Sequence, residues 1–494
     1  MKNIIKSILL LGFIFFTSCT RDLEVLNENE PDFLKVYSDA ADVKNLAGNL
    51  YNTFYFQNEY TLKMLFAVAA DNFSSSVSWL VGVQDVSWEP RKAWNNTPGY
   101  RFESSTSYPF NEMYKVINTS SLIIKSLDNG VEIGKDGADN DLVRAFARFN
   151  MGISYGMLAL SFDKAFIVDE KSTLTNASLG DAKTYKEVAS QAIIYLDEAI
   201  SILSKNSYNI PANWMGSPGD LPSNILSQYA NSWAARILSN LPRNSTELAS
   251  VDWTAVKKYA DAGITSDFNI LLDGWGRWQS YGGYYLTAGL AVTDMYVVNK
   301  LDPTMPDHWD DDPNFIHPPA STNPNADKRI ETDFAYISSN TFPGDRGYYH
   351  WSNYRWKRLN LLFSTANGPM PEFMLAENDM YKAEALAYTD NLAEAASIIN
   401  AGTRTTRGQL PQVPANLTDI IEAIHHERII EMMYTGTGLQ FFEMRKRNLL
   451  QKGTPLHFPL PAKTLETFGE LPPFYTFGGP DGQDGINGSN GGWR

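Results

Sequence analysis

The strongest constraint on the fold of this chain is a set of apolar stripes with a helical repeat. Leu142, Phe146, Phe149, Ile153, Met157 and Leu160 recur at steps of three or four residues, which lines them along one side of a helix. Tyr185, Val188, Ala192, Leu196, Ala199 and Leu203 repeat the pattern, and shorter helices fit 223–240 and 253–264. Phe373, Ala376, Met380, Ala383 and Ala387 form another stripe. Leu392, Ala395, Ala396 and Ile399 follow at once, and a further helix is expected over about 418–434. Small residues interleave with large ones in helix pairs joined by short turns, as tetratricopeptide-like stacking requires. The repeats are irregular in length. The expectation is therefore a mostly α chain with helix-pair scaffolding over about 140–265 and 370–435. Trp233 and Trp253 fall inside the stripes and are expected in the core.

Two regions interrupt the helical pattern. Residues 74–111 and 270–370 are rich in Gly, Pro, Asn, Asp and aromatics, without a sustained period. A long loop-rich stretch makes a poor core and a plausible binding surface.

The N-terminus reads as an export signal. Lys2 and Lys6 precede an apolar run, Ile8 to Phe16, that is too short to span a bilayer. Phe16-Thr17-Ser18-Cys19 then brings small residues up to the only cysteine of the chain. In a bacterial lipobox that thiol is lipidated and becomes the new N-terminus. The alternative is an ordinary signal peptide ending at a chance cysteine. On the first reading, residues 1–18 are a lipoprotein signal peptide, 19–35 a lipidated polar spacer and 36–494 the body. Cys19 is then the lipid anchor. With one cysteine no intramolecular disulfide can form. The formal net charge of −15 argues against nucleic acid as a partner.

Taken in order, these blocks resemble the SusD/RagB family of outer-membrane nutrient-binding lipoproteins. The resemblance starts at the lipobox and at Asp22-Leu23-Glu24-Val25 with Asn27-Glu28-Asn29-Glu30-Pro31. It continues through Arg144-Ala145-Phe146-Ala147-Arg148-Phe149 to Phe162-Asp163, then Thr184-Tyr185 to Leu203 and Asp252-Trp253 to Ala260. Pro371-Glu372-Phe373, Ala376-Glu377, Ala383-Glu384-Ala385, Ile399-Asn400, Thr403-Arg404, Glu427-Arg428 with Glu431, and Pro459-Leu460-Pro461 complete it. The resemblance implies tetratricopeptide-like helix pairs that support a loop-rich ligand-binding face. It also implies an outer-membrane location facing outward, a SusC-like TonB-dependent transporter as partner, and a ligand that is usually a glycan and sometimes a peptide. The Gly- and Asn-rich tail after Pro473 departs from the family pattern.

Sugar rings present flat C–H faces that stack on indole and phenol, and nearby polar side chains bond the hydroxyls. Two stretches offer both. Trp275, Arg277, Trp278, Gln279 and Tyr281, followed by Tyr284 and Tyr285, lie among glycines. Trp79, Trp88 and Trp94, with Asn95 and Asn96, occupy the earlier loop region. Any one of these rings could instead pin a loop to the helical body. Tyr348, Tyr349, His350 and Trp351, with Tyr354 and Trp356, rank below them, because their alternation fits a strand with one buried face.

No cofactor is expected. Asp307, Asp310, Asp311 and Asp312 could take calcium but lack the spacing of a dedicated loop, and a solvated acidic turn is favoured. His425-His426-Glu427 lacks histidines at i and i+4 and a third ligand. Within the resemblance Glu427, Arg428 and Glu431 form a structural charged cluster, in which Arg428 can pair with Glu431 at i,i+3. No catalytic motif stands out. A non-enzymatic binder is the first expectation, and a surface glycoside hydrolase is the alternative from another class.

Overall fold

The computed structural model describes residues 36–75, 81–172, 178–282, 289–309, 315–338, 350–479 and 488–494. Cys19 and the rest of residues 1–35, Trp79, Tyr284, Tyr285, Asp310, Asp311, Asp312, Tyr348 and Tyr349 lie outside them.

The chain opens with α1 (Ala40–Ala47) and α2 (Leu50–Gln57), a π-helical turn (Asn58–Leu62) and α3 (Lys63–Ala69). Strand β1 (Phe73–Ser75) leads to the long α4 (Ser104–Asp128). Then come α5 (Asn140–Ser161), α6 (Tyr185–Leu203), α7 (Ser223–Asn240) and α8 (Trp253–Asp261). Short strands and helices fill the next hundred residues: β2 (Phe268–Asp273), β3 (Ala291–Thr293), α9 (Met295–Leu301), β4 (Phe334–Tyr336), β5 (Tyr354–Trp356), α10 (Asn360–Thr365) and β6 (Asn367–Phe373). The scaffold resumes with α11 (Leu375–Tyr388), α12 (Leu392–Ala401), α13 (Leu417–Ile430) and α14 (Leu439–Lys446).

Consecutive helices pack side by side: α4 on α5, α5 on α6, α6 on α7, α7 on α8, α8 on α11, and α11 on α12 and α13. The helical stripes explain this, since every member of the α5 stripe is buried. Two glycines set how closely the helices approach. A Cβ on Gly152 would lie 2.7 Å from Leu196 Cγ of α6, and one on Gly156 would collide with Ile237 of α7. Capping fixes where helices begin. Thr184 and Glu187 form a reciprocal capping box at the start of α6, and Asn416 accepts from the Asp419 N–H at the start of α13. Trp233 and Trp253 are core residues, as expected.

Three elements fall outside the sequence expectation. Helices α2 to α4 add to the scaffold ahead of residue 140, and α4 begins inside the stretch read as loop. The 270–370 stretch is largely built in, because its strands pair antiparallel, β1 with β3, β2 with β6 and β4 with β5. Arg428 does not pair with Glu431. It reaches through the core to Glu384 on α11 (2.7 Å) and Glu443 on α14 (2.5 Å). Glu431 instead meets Arg329, Arg358 and Arg407, at 3.0, 3.0 and 2.6 Å. Adjacent positions on a helix face about 100° apart, so Glu427 and Arg428 enter different networks. Glu427 joins Arg329 at 2.7 Å. Each buried charge in this cluster meets opposite charge, which offsets its desolvation.

The tail beyond Pro473 is built into the body at both described ends. The Trp94 N–H donates to the Phe477 carbonyl (3.0 Å), and Gly453 and Thr454 exchange backbone hydrogen bonds of 2.8 Å with Ser489.

Candidate functional site

The π-helical turn that follows α2 has one residue more than an α turn, a feature often found where function resides. On its inner side Glu59 is 2% exposed. It holds Lys63 Nζ at 2.6 Å, and the Tyr434 hydroxyl donates to it at 3.3 Å. On its outer side Phe56 and Tyr60, four residues apart, are half-buried, with ring centroids 6.1 Å apart and planes 11° from parallel.

A second segment closes over this turn. Strands β2 and β6 pair from Phe268–Phe373 to Asp273–Asn367, and the loop 274–282 leaves the end of β2. Gly274 turns the chain with φ +84°, a conformation that suits glycine. The Asp273 carboxylate then accepts the backbone N–H groups of Arg277 (3.1 Å) and Trp278 (3.0 Å), which folds the loop back on itself. Ser280 donates to the buried Glu59 carboxylate and so ties the loop to the π-helical turn. Beyond it, a Cβ on Gly282 would strike the Phe363 ring of α10.

The two loop tryptophans consequently face opposite ways. Trp278 is 4% exposed and lies against Tyr51 (6.1 Å) and Tyr55 (5.7 Å) of α2. A Cβ on Gly216 would be 2.7 Å from its ring. It is a core residue, and the expectation that it serves as a ligand platform is corrected, since no ring face is open. Trp275 is 63% exposed and stands edge-on to Tyr281 at 6.1 Å. Tyr281 in turn meets Tyr60 at 4.7 Å and Phe56 at 5.8 Å. Phe56, Tyr60, Tyr281 and Trp275 thus form one contiguous aromatic cluster, half-buried except at Trp275, with partly exposed Gln279 on the same loop.

Arg277 is a tether. Its guanidinium donates to Asn49 Oδ1 (2.6 Å) and the Gly48 carbonyl (2.5 Å), and Asn52 Nδ2 donates to its carbonyl (2.7 Å). Burial pulls its pKa below the usual arginine value. These bonds fasten the loop to the junction of α1 and α2.

The earlier loop region lies in a different neighbourhood. Trp94 is 3% exposed, with its ring 5.0 Å from Phe458 and 5.4 Å from Tyr100. Asn96 is buried and donates from Nδ2 to the carbonyls of Leu460 (3.1 Å) and Tyr475 (3.0 Å). Both fasten this loop to the C-terminal segment, which corrects their assignment to a binding face. Asn95 is exposed and accepts from Thr97. Trp88 is half-buried under the Lys92 ammonium, 4.1 Å above its ring. In the third aromatic group Trp351, Tyr354 and Trp356 are all buried, the last two within β5.

Phe56 and Tyr60 were not anticipated. The signal was present: they sit at i and i+4, offset from Tyr51 and Tyr55, a second aromatic stripe on the same helix. Of the remaining candidates, Asp307 pairs with His308 at 2.6 Å. His425 is buried against the Tyr296 hydroxyl (2.7 Å), and His426 pairs with Asp327 at 2.8 Å, so the two rings serve separate contacts.

No family model matches the sequence, and none of the curated proteins matches it. Solved structures do. A SusD superfamily protein from Bacteroides thetaiotaomicron superposes with a TM-score of 0.58 at 13% identity, covering 91% of this chain and 96% of that one. A SusD-like carbohydrate-binding protein from Bacteroides fragilis gives 0.57 at 14% identity, covering 83% and 86%. A structure solved with a xylogluco-oligosaccharide gives 0.53 at 13% identity, covering 87% and 85%. The chain has the SusD-like fold.

Proposed function

We propose that this protein is a SusD/RagB-like lipoprotein of the outer membrane that captures an oligosaccharide without turning it over and passes it to a SusC-like TonB-dependent transporter. The observation that carries the reading is the face formed by Phe56, Tyr60, Tyr281 and Trp275. Sugar rings stack their C–H faces on such rings, and the side-chain amide of Gln279 can bond hydroxyls at the rim. The loop that carries Trp275 and Tyr281 is braced by Arg277, Trp278 and Ser280, so the platform is ordered before ligand arrives and little ordering entropy opposes binding. The carbohydrate-binding and oligosaccharide-bound proteins of the same fold support a glycan as the ligand class. The lipobox supports attachment through Cys19.

Calorimetry against a panel of oligosaccharides tests the reading. Binding to at least one, weakened in Trp275→Ala and Tyr60→Ala, is expected, with no release of shorter sugars. Failure to bind any glycan, or unchanged affinity in both variants, overturns the site. Product release overturns the non-enzymatic role. For the partner, the protein should co-purify with a large barrel from detergent-solubilised outer membrane, and repeated isolation without one refutes the delivery role.

A further inference from the structure

Away from the aromatic face, three separate segments deliver Asp71, Asp294 and His350 to one buried point. Asp71 follows α3 in left-handed backbone, φ +50°, and Asp294 caps the start of α9 directly after β3. The pairing of Phe73 with Thr293 between β1 and β3 brings those two together. His350 is held by its own carbonyl, which accepts the Met295 N–H at 2.8 Å, and by the bridge between Asp294 and Trp351.

The imidazole is the telling member. It is 5% exposed, its Nδ1 stands 3.6 Å from Asp294 Oδ1 and 3.8 Å from Asp71 Oδ1, and its buried Nε2 has no hydrogen-bond partner among the described residues. Nε2 faces Glu89 Oε1 at 3.3 Å without hydrogen-bond alignment. Buried polar groups are ordinarily bonded, so an imidazole with one ring nitrogen unpartnered and the other set between two carboxylates, beyond hydrogen-bond distance of both, calls for a ligand. Two donors about 2.1 Å from a shared cation stand roughly 3.4 Å apart at a tetrahedral angle, close to the spacings seen here. Charge points the same way. Asp71 is paired with Arg91 at 2.5 Å and accepts from Trp493 Nε1 at 2.8 Å. Asp294 accepts from Ser74 Oγ (2.6 Å) and the Tyr296 N–H (2.9 Å), and no lysine or arginine pairs with it among the described residues. It is a buried carboxylate short of a cation.

We propose that Asp71, Asp294 and His350 bind a divalent transition-metal ion of the zinc or manganese class, with the C-terminal residues as its cover. One imidazole and two carboxylates suit such ions better than calcium, which takes oxygen donors. The cover is Trp493, whose ring lies 5.2 Å from His350 and 4.6 Å from Tyr296, and Arg494, which pairs with Glu89. The competing occupant of the same charge deficit is a proton on Asp294, whose pKa burial and Asp71 push upward.

The test uses the purified protein stripped with a chelator and titrated with zinc chloride or manganese chloride alone. Uptake of about one equivalent is expected, with at least a tenfold loss of affinity in Asp294→Asn and His350→Gln. Trp493→Ala should keep the stoichiometry and release metal faster to chelator. Absence of uptake by the native protein overturns the site and leaves the proton as occupant. Equal uptake by native protein and both folded variants overturns it as adventitious binding. If the variants do not fold, X-ray absorption on the zinc-loaded native protein decides: one imidazole with oxygen donors supports the site, and several imidazoles or none refutes it.

Discussion

Trp275 and Trp278 are three residues apart on one loop, one exposed and one buried, and a paired truncation separates the ligand contact proposed for the first from the core packing of the second. Burying a tryptophan removes roughly 200 Å² from water, worth about 5 kcal/mol at 25 cal/mol per Å². Trp278, 4% exposed among Tyr51, Tyr55 and Gly216, commits nearly all of that. Trp278→Ala should therefore cost about 3–5 kcal/mol of unfolding free energy, the range for large core truncations. Trp275 is 63% exposed, so it hides about 75 Å² and contributes at most about 2 kcal/mol by the same scaling. On the function proposed above, its removal instead deletes a stacking surface, and the loss of about 0.5–1.5 kcal/mol of ring contact weakens glycan binding roughly two- to twelvefold. Urea unfolding followed by tryptophan fluorescence gives the stabilities, and calorimetry on the same samples gives the affinities. The reasoning is refuted if Trp278→Ala loses affinity while keeping its urea midpoint, or if Trp275→Ala loses more stability than Trp278→Ala.

Gly152→Ala places a methyl group 2.7 Å from Leu196 Cγ, and the overpacking between α5 and α6 should lower stability by about 1–3 kcal/mol in urea titration. Asn416→Ala removes the cap of α13 and should cost about 1 kcal/mol by the same measurement. Glu372 on β6 has its pKa pushed up to about 7, first by burial and then by Glu59 and Glu377, against Lys63 and Arg236, which pull it down. The unfolded chain gives up this proton near pH 4.5 and the folded chain near 7, so stability should fall as pH rises across that window, by an amount on the order of 3 kcal/mol. Glu372→Gln, which copies the neutral acid, should remove that part of the slope, and equal slopes in the two proteins would refute the assignment. Cys19→Ala should leave binding intact in the purified protein and abolish retention by membranes in cell fractionation.

The helices that were legible in the sequence are those with one dry face. Those of α5 and α6 survive as periodic stripes because each helix buries a continuous side. Helix α3 left no stripe, since all seven of its residues are buried and burial on every side erases the period. Helix α4 was hidden for a different reason. It carries Pro109 near its start and several serines and threonines in its first half, composition that normally marks loops, and most of these are buried against neighbouring elements. The platform loop was found from its aromatic and glycine content, but composition does not say which ring faces inward. That was decided by partners far away in sequence, Gly216, Tyr51 and Glu59, none of which the local motif contains. For the same reason Trp94 and Asn96 looked like the later group while serving to hold the C-terminal segment.

The loop 274–282 divides its labour by residue: Arg277, Trp278 and Ser280, with Asp273 at the end of β2, hold it to the scaffold, while Trp275 is exposed and Gln279 partly so. A consequence follows for how recognition can diversify. Trp275 and Gln279 supply none of these fastenings, so this part of the segment behaves as a replaceable tile on a fixed frame. Libraries randomised at Trp275 and Gln279 would retain folding and, on the function proposed above, sample new ligands.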